Sequence, residues 1–598
     1  MSSVPEREEI ETAYKWDLES VYESTEEWEA DFEWAKEQLS KLQEYEGRIT
    51  EDGETLLSFL EEYEEVARTV STLSSYARMR ADEDTRDQDA QALKSRGSAL
   101  SSKLSAATSF LEPELQSLSR DELDAMVEAT DGLELYDHYL DDVFRMKEHT
   151  RSAEVEELIS EFGEVMGAPG DIYGMLTNAD LEFPTVEDPE GEDVTITQSN
   201  LTTLLKERDR EFRRTVHESF YERISEVRNT IGSSLQYSTK ADVKMARARG
   251  YDTAREAALD GPNIPEEVYD NLVSTVRENL DALQRHADLK AEALDVDDLQ
   301  MWDLYMPLTD APEPDIDYED ACDYIVEAVE PLGTNYQSRV EEGLDSGWVD
   351  VYENRGKRSG AYSGGTYDTQ PFILMNYQGD LDSVYTLAHE LGHSLHSQLS
   401  SEHQPYVYND YEIFVAEVAS TVNESLLTHY LLENTDDDAL RAHVLDQYLE
   451  RFRSTLYRQT LFADFEHTIH TMEENGEPLT PDALDEAYGD LKREFYANAV
   501  VDDHIAREWM RIPHFYYSYY VYQYSTGISA AVALSQDIIA GEEGAAEAYV
   551  DFLKSGSTKY PLELLQDAGV DMSSPDPIES AIDVYREYLD RSEDFLLD

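Results

Sequence analysis

The sequence predicts a mostly α-helical protein with a minor β component, and three observations carry that reading. Apolar residues recur at three- and four-residue spacing on an acidic background through most of the 598 residues. Glycine and proline are sparse and gather at breaks such as Gly261-Pro262 and the run from Gly476 to Pro481. Only two stretches abandon the helical period, and both read as β.

In chain order, the first helices are expected at Glu26–Glu44, Glu54–Arg80 and Asp87–Leu111, where the apolar positions stay on one face. The first β stretch, Leu181–Thr197, has short alternating runs around a Pro/Gly turn and predicts a hairpin. It suggests a division near residue 195: an N-terminal helical lobe, 1–195, and a larger second domain, 196–598. The second β stretch lies in Arg358–Gly379, where a Gly-rich segment leads into a strand-like run, Phe372–Tyr377. A helix follows it directly, placing a small sheet beside that helix.

Charge excludes whole classes of function. Asp and Glu number 131 against 47 Lys and Arg, a formal net charge of -84. A phosphate-binding protein needs basic surface, so nucleic acid is excluded as a partner. Large hydrophobic side chains persist along the chain, which argues against disorder. The acid is spread over nearly every presumptive solvent face and lysine is much scarcer than arginine. That pattern fits a halophilic protein in molar salt, where the screening length falls to about 3 Å and self-repulsion is tolerable. Cys322 is the one cysteine, so no intrachain disulfide can form. The N-terminal sequence lacks an apolar signal region, and no run of about 18 apolar residues occurs. A cytoplasmic protein with no membrane partner is expected.

The segment Leu387–Leu399 reads LAHELGHSLHSQL. His389 and His393 are one turn apart on one helix face, close enough for both imidazoles to reach one Zn²⁺. Glu390 can meet a water at the metal without binding the metal itself, the position of a general base. Chance would produce this pattern about 0.04 times in such a chain. Zinc needs a third protein ligand. His396 lies seven residues beyond His389, about 10.5 Å along the helix, too far to complete the same site. Position 399, where a three-histidine peptidase would carry its last ligand, is leucine. A carboxylate from a second helix is the better choice. In Tyr411–Leu427, Glu417 sits among Ile413, Phe414, Val415, Val418 and Ala419, where an unpaired carboxylate is costly. Glu424, seven residues on and on the same face, is placed to orient a ligating histidine or to remain an ordinary acid. In Arg511–Gly527 (RIPHFYYSYYVYQYSTG), His514 and the packed tyrosines form either an aromatic core or a set of oxyanion donors; spacing alone does not choose among the tyrosines.

These motifs carry a resemblance. Tyr14-Lys15-Trp16-Asp17-Leu18, YARMRADEDTRD from Tyr76, Gly360-Ala361-Tyr362, Tyr367-Asp368-Thr369, HELGHSLHS, FVAEVAST with the following NE, and IPHFYYSYYVYQYSTG resemble oligoendopeptidase F, of the thimet oligopeptidase-like (M3) metallopeptidases, over nearly the whole chain. The resemblance implies a two-lobed helical metallopeptidase enclosing a deep substrate channel. It implies one Zn²⁺ per chain held by His389, His393 and Glu417, with Glu390 as base. His514 and Tyr522 resemble the family's substrate- and oxyanion-contacting pair, and Tyr519 another active-site tyrosine. Gly360, Gly364, Gly365 and Tyr367 resemble a mobile loop over the substrate. The expected activity is hydrolysis of internal bonds in short peptides, by a monomer or homodimer. A zinc carboxypeptidase of similar build and a non-catalytic peptide-binding relative are the alternatives, and zinc, cobalt or manganese could serve as the metal. The run Phe372–Tyr377 is expected to offer a strand edge to an extended peptide.

Overall fold

A computed structural model describes residues 4–309 and 311–597. The chain divides into two compact units, each assembled from three stretches of sequence. Unit 1 takes residues 1–148, 314–434 and 534–569; unit 2 takes 149–313, 435–533 and the C-terminal stretch from Val570. The chain therefore passes between the units repeatedly.

Unit 1 begins with three long helices, α1 (Thr25–Gln43), α2 (Gly53–Glu83) and α3 (Gln88–Thr108). Their starts are set by side chains that satisfy otherwise unpaired backbone N–H groups: Ser24, Asp52 and Asp87 each accept from the first turn. Trp28, Phe59, Leu73 and Tyr76 bury their faces in a common core that also receives Phe372 and Leu374. These two come from a three-stranded sheet of β1 (Val349–Asp350), β2 (Tyr362–Gly364) and β3 (Phe372–Leu374). The strand order is β1-β3-β2, with β3 parallel to β1 and antiparallel to β2.

This order corrects the expected role of Phe372–Tyr377. Its regular part, β3, is the middle strand, hydrogen-bonded on both sides, and has no edge to offer a peptide. The continuous apolar run Phe-Ile-Leu, fully buried, is the signature of a central strand. The outer strand beside it is β2.

Two further helices complete the scaffold of the site, α4 (Leu381–His403) and α5 (Ile413–Asn434). Asp380 caps α4 through the Ser383 N–H at 2.8 Å. Val384, Leu387, Leu391 and Leu395 are wholly buried along α4. On α5 the buried face is broad, from Phe414 through Val418 and Val422 to Leu426, so this helix is interior on most sides.

Unit 2 is also helical. The expected hairpin is present, Thr185–Glu187 against Asp193–Thr195, with Val186 opposite Val194. Its turn is tied by the Asp188 carboxylate, which accepts from Glu190 N and Glu192 N. Unit 2 also holds a buried ionic group. Glu508 accepts from Lys492 at 2.6 Å, Arg458 at 2.7 Å and the Tyr488 hydroxyl at 2.6 Å. Surrounded by these cations, its carboxyl is held well below the usual range despite complete burial. Among the described residues no helix is long and apolar enough to cross a membrane.

Candidate metal centre

The site is built where α4 and α5 touch. At Gly392 the two backbones meet so closely that a Cβ would lie 2.6 Å from the Ala419 carbonyl oxygen and 2.6 Å from the Ser420 Cα. Only glycine permits this approach, and small residues face it from α5. Two polar ties hold the helices in register. Asn423 Nδ2 donates to the Ala388 carbonyl at 3.2 Å, and the Tyr385 and Thr428 hydroxyls meet at 2.7 Å.

The close approach brings three donor atoms together. His389 Nε2 and His393 Nε2 are 3.2 Å apart, and Glu417 Oε2 lies 3.6 Å from the first and 3.8 Å from the second. A tetrahedral Zn²⁺ with bonds of about 2.0–2.1 Å separates its ligands by about 3.4 Å, so this triangle has the size the ion needs. The chemistry of the donors agrees. Burial and the neighbouring His389 push the His393 imidazole down to about 4, so it is neutral and its ring nitrogen can bind a metal. His389 Nδ1 is 2.6 Å from Glu424 Oε1. That contact fixes the ring and leaves Nε2 as the atom turned to His393 and Glu417. Glu424 is itself fully buried. Ser420 Oγ steadies Glu417 by donating to Oε2 at 3.2 Å.

Glu390 follows His389 on the same helix and is buried. Burial is the main reason that its carboxyl sits above the usual range; a hydrogen bond from the Ser363 backbone N–H on β2 works against the shift. A raised carboxyl is a better proton acceptor than a solvated one. The Ser363 and Ser394 hydroxyls meet at 2.8 Å and join β2 to α4.

A cavity of about 420 Å³ opens beside His393 and is lined by Gly364, Gly365, Tyr367, Tyr406 and Tyr411 among others. Gly365 has φ +137°, and a Cβ there would meet the Gln370 carbonyl at 3.0 Å. Gly360 is not part of the lining; its carbonyl accepts from Asn376 Nδ2 at 2.8 Å. The segment is anchored. Asp82, buried in α2, pairs with Arg358 and accepts from the Tyr362 hydroxyl. Tyr367 donates to the Gln404 carbonyl at 3.0 Å and carries Arg68 over its ring. His396 is buried and stacked on Tyr411, with ring centroids 3.6 Å apart, and is no part of the donor triangle.

His514, Tyr519 and Tyr522 belong to unit 2. His514 lies in a short 3-10 turn, Pro513–Tyr516, with the rings of Tyr520 and Tyr524 each 6.1 Å away. Tyr519 and Tyr522 are interior: they are 3% and 1% exposed and pack against Tyr269. Tyr519 has φ +50°, a backbone conformation that is costly for a tyrosine. It is held by its N–H donating to Glu466 Oε1 at 2.6 Å, while its hydroxyl meets His467 Nδ1 at 3.3 Å. In this conformation the tyrosines that share the surroundings of His514 are Tyr517, Tyr520 and Tyr524. Sequence reasoning did not single those out, because six tyrosines within nine residues carry no periodicity that separates inside from outside.

Comparison with known proteins gives a consistent picture. The model of peptidase family M3 matches residues 203–584, and the model of oligopeptidase F matches residues 114–183. The chain is 42% identical to oligopeptidase PepF of Bacillus subtilis over 597 residues, covering 100% of this chain and 89% of the relative. A crystal structure of oligoendopeptidase F from Enterococcus faecium is 36% identical and matches with a TM-score of 0.75, covering 96% of this chain and 99% of the other. A crystal structure from Chlamydophila abortus matches with a TM-score of 0.91 at 34% identity, covering 99% of this chain and 100% of the other.

Proposed function

Given that the chain belongs to peptidase family M3, with relatives of the oligoendopeptidase F type, we propose that this peptidase is a zinc-dependent endopeptidase cleaving internal bonds of short peptides. The observation that carries the proposal is the donor triangle of His389, His393 and Glu417, with Glu390 on the same helix. Zinc held there supplies, when bound, a Lewis acid that polarises the scissile carbonyl and acidifies water.

The chain's own groups do the rest. Glu390 accepts a proton from the attacking water as its oxygen bonds to the carbonyl carbon. Glu390 then returns that proton to the amide nitrogen as the C–N bond breaks, leaving a carboxylic acid and an amine, between which the remaining proton equilibrates. Glu424 keeps His389 in one tautomer and orientation throughout. Ala416, Asn409 and the backbone of Gly364–Gly365 line the cavity beside His393, where part of an extended peptide has room. The assignment of His514, Tyr519 and Tyr522 as hydrogen-bond donors to the developing oxyanion rests on their resemblance to the family motif. We further propose a modular boundary near residue 195, which the two family matches flank.

The test uses a peptide of about ten residues, blocked at both ends, with products identified by mass spectrometry. Internal cleavage that stops on chelation and returns with zinc supports the proposal. Inertness of this substrate, with release of single residues from unblocked peptides, would replace it with a carboxypeptidase.

A further inference from the structure

Unit 2 contains a second group of metal-ligating side chains, remote in sequence from the first. His217 projects from the helix Arg210–Ser225, while Asp502 and His504 lie in the turn that starts the 3-10 helix Ile505–Arg511. One donor atom from each lies within 4.8 Å of the others. His217 Nε2 is 3.4 Å from Asp502 Oδ2, and His504 Nδ1 is 3.8 Å from the same oxygen.

Two features separate this group from an ordinary surface ion pair. The His217 side chain is 2% exposed, and its buried Nε2 makes no well-formed hydrogen bond, its charged neighbour being Asp502 Oδ2 at a long 3.4 Å. A buried imidazole nitrogen held only by so long a contact is poorly satisfied, and an ion seated between it and Asp502 would satisfy both. The second feature is the division of labour within Asp502. Its Oδ1 accepts from the Ile505 N–H at 2.8 Å, which fixes the carboxylate and leaves Oδ2 turned to both histidines. Asp502 is thus oriented by the backbone in the way a ligating carboxylate is commonly held.

We propose that His217, Asp502 and His504 form a second, structural site for a divalent transition-metal ion, with Zn²⁺ the best match. Two imidazoles and one carboxylate suit zinc and its neighbours and disfavour calcium or magnesium, which take oxygen donors. Of the two edges on Oδ2, the 3.4 Å one equals the spacing of about 3.4 Å between tetrahedral zinc ligands and the 3.8 Å one exceeds it slightly. Asp502 and His504 keep some exposure, so water can fill a fourth position. The ion would clamp the helix carrying His217 to the segment 502–511. That segment carries the buried Glu508 and ends in the partly buried Arg511, just before His514. The role is to hold unit 2 together, and it is independent of the reaction proposed above.

The experiment is carried out on the full chain with His389→Ala and His393→Ala, which silences the first site. Zinc bound at equilibrium is counted in molar KCl, which screens the acidic surface, and Co²⁺ is titrated in parallel for the visible bands of a tetrahedral ion. The proposal expects about one ion per chain in this background and a zinc-dependent rise in melting temperature. Adding His504→Ala, a partly exposed side chain, or the near-isosteric Asp502→Asn removes the bound ion, the cobalt bands and the thermal shift, with far-UV circular dichroism unchanged. A background chain that binds no ion, or one whose ion survives both substitutions, overturns the proposal.

Discussion

Substituting Gly392 with alanine tests how the site is built. A Cβ at this position lies 2.6 Å from two backbone atoms of α5, whereas ordinary contacts begin at 3.4 Å. Neither partner is a side chain that can swing away, so α4 and α5 must part by about 0.8 Å. The ligands His389 and His393 ride on α4 and Glu417 on α5. The Glu417 edges of the donor triangle, now 3.6 and 3.8 Å, then open to about 4.4–4.6 Å, against about 3.4 Å around a tetrahedral zinc. Overpacking costs about 1–3 kcal/mol of stability. The larger effect falls on the metal: zinc affinity, measured by competition with a chelator, is expected to drop at least about tenfold, the scale on which mispositioned ligands act. kcat/KM at limiting zinc falls with it. Gly163→Ala, in a helix where a Cβ meets nothing within 4 Å, is the control and changes neither quantity. Zinc affinity in Gly392→Ala equal to wild type would refute the claim that this contact sets the ligand geometry.

Other consequences are tested more briefly. Glu424→Ala removes the acceptor 2.6 Å from His389 Nδ1 and lowers zinc affinity by about 10–100-fold, read by the same competition; unchanged affinity would leave Glu424 with no positioning role. Glu466 is fully buried, and burial raises its carboxyl to about 8, so the folded protein holds a proton there that the unfolded chain releases near pH 4.5. Stability from this group is complete below about pH 4.5 and is lost as pH rises through 8, with a slope of at most about 1.4 kcal/mol per pH unit. Glu466→Gln should flatten the fall of melting temperature between pH 5 and 8, and an equally steep fall in the variant would contradict the assignment. The net charge of -84 predicts that lowering KCl from molar to about 0.1 M, which lengthens screening from about 3 to 10 Å, lowers the melting temperature by many degrees; a salt-independent midpoint would remove the case for salt adaptation.

Much of this was legible because the period of the apolar residues survives even an extreme surface charge. The expected starts Glu26 and Glu54 fall one residue inside α1 and α2, and Asp87 proves to be the cap of α3. The hairpin was marked by its turn residues; Glu417 drew attention through its apolar sequence neighbours, although the fold leaves its side chain 28% exposed. What stayed hidden depends on tertiary packing. Gly392 reads as an unremarkable helical glycine until α5 is seen 2.6 Å from where its Cβ would be. The edge or centre position of β3 depends on which strands flank it, and Val349–Asp350 is too short to announce itself. His217 and the pair Asp502, His504 are separated by nearly half the chain, so no spacing rule unites them. The two compact units likewise interleave three stretches each, where a linear reading finds one boundary.

The central claim is that Glu390 moves the proton while His389, His393 and Glu417 hold the metal. Glu390→Gln keeps the shape and the ligands but removes the base. Zinc content and cleavage of an end-blocked peptide are measured on the same preparation in molar KCl. The account predicts that zinc bound at the triangle is unchanged and kcat falls by about 10²–10⁴-fold. A variant that keeps its zinc and cleaves at the wild-type rate would contradict it.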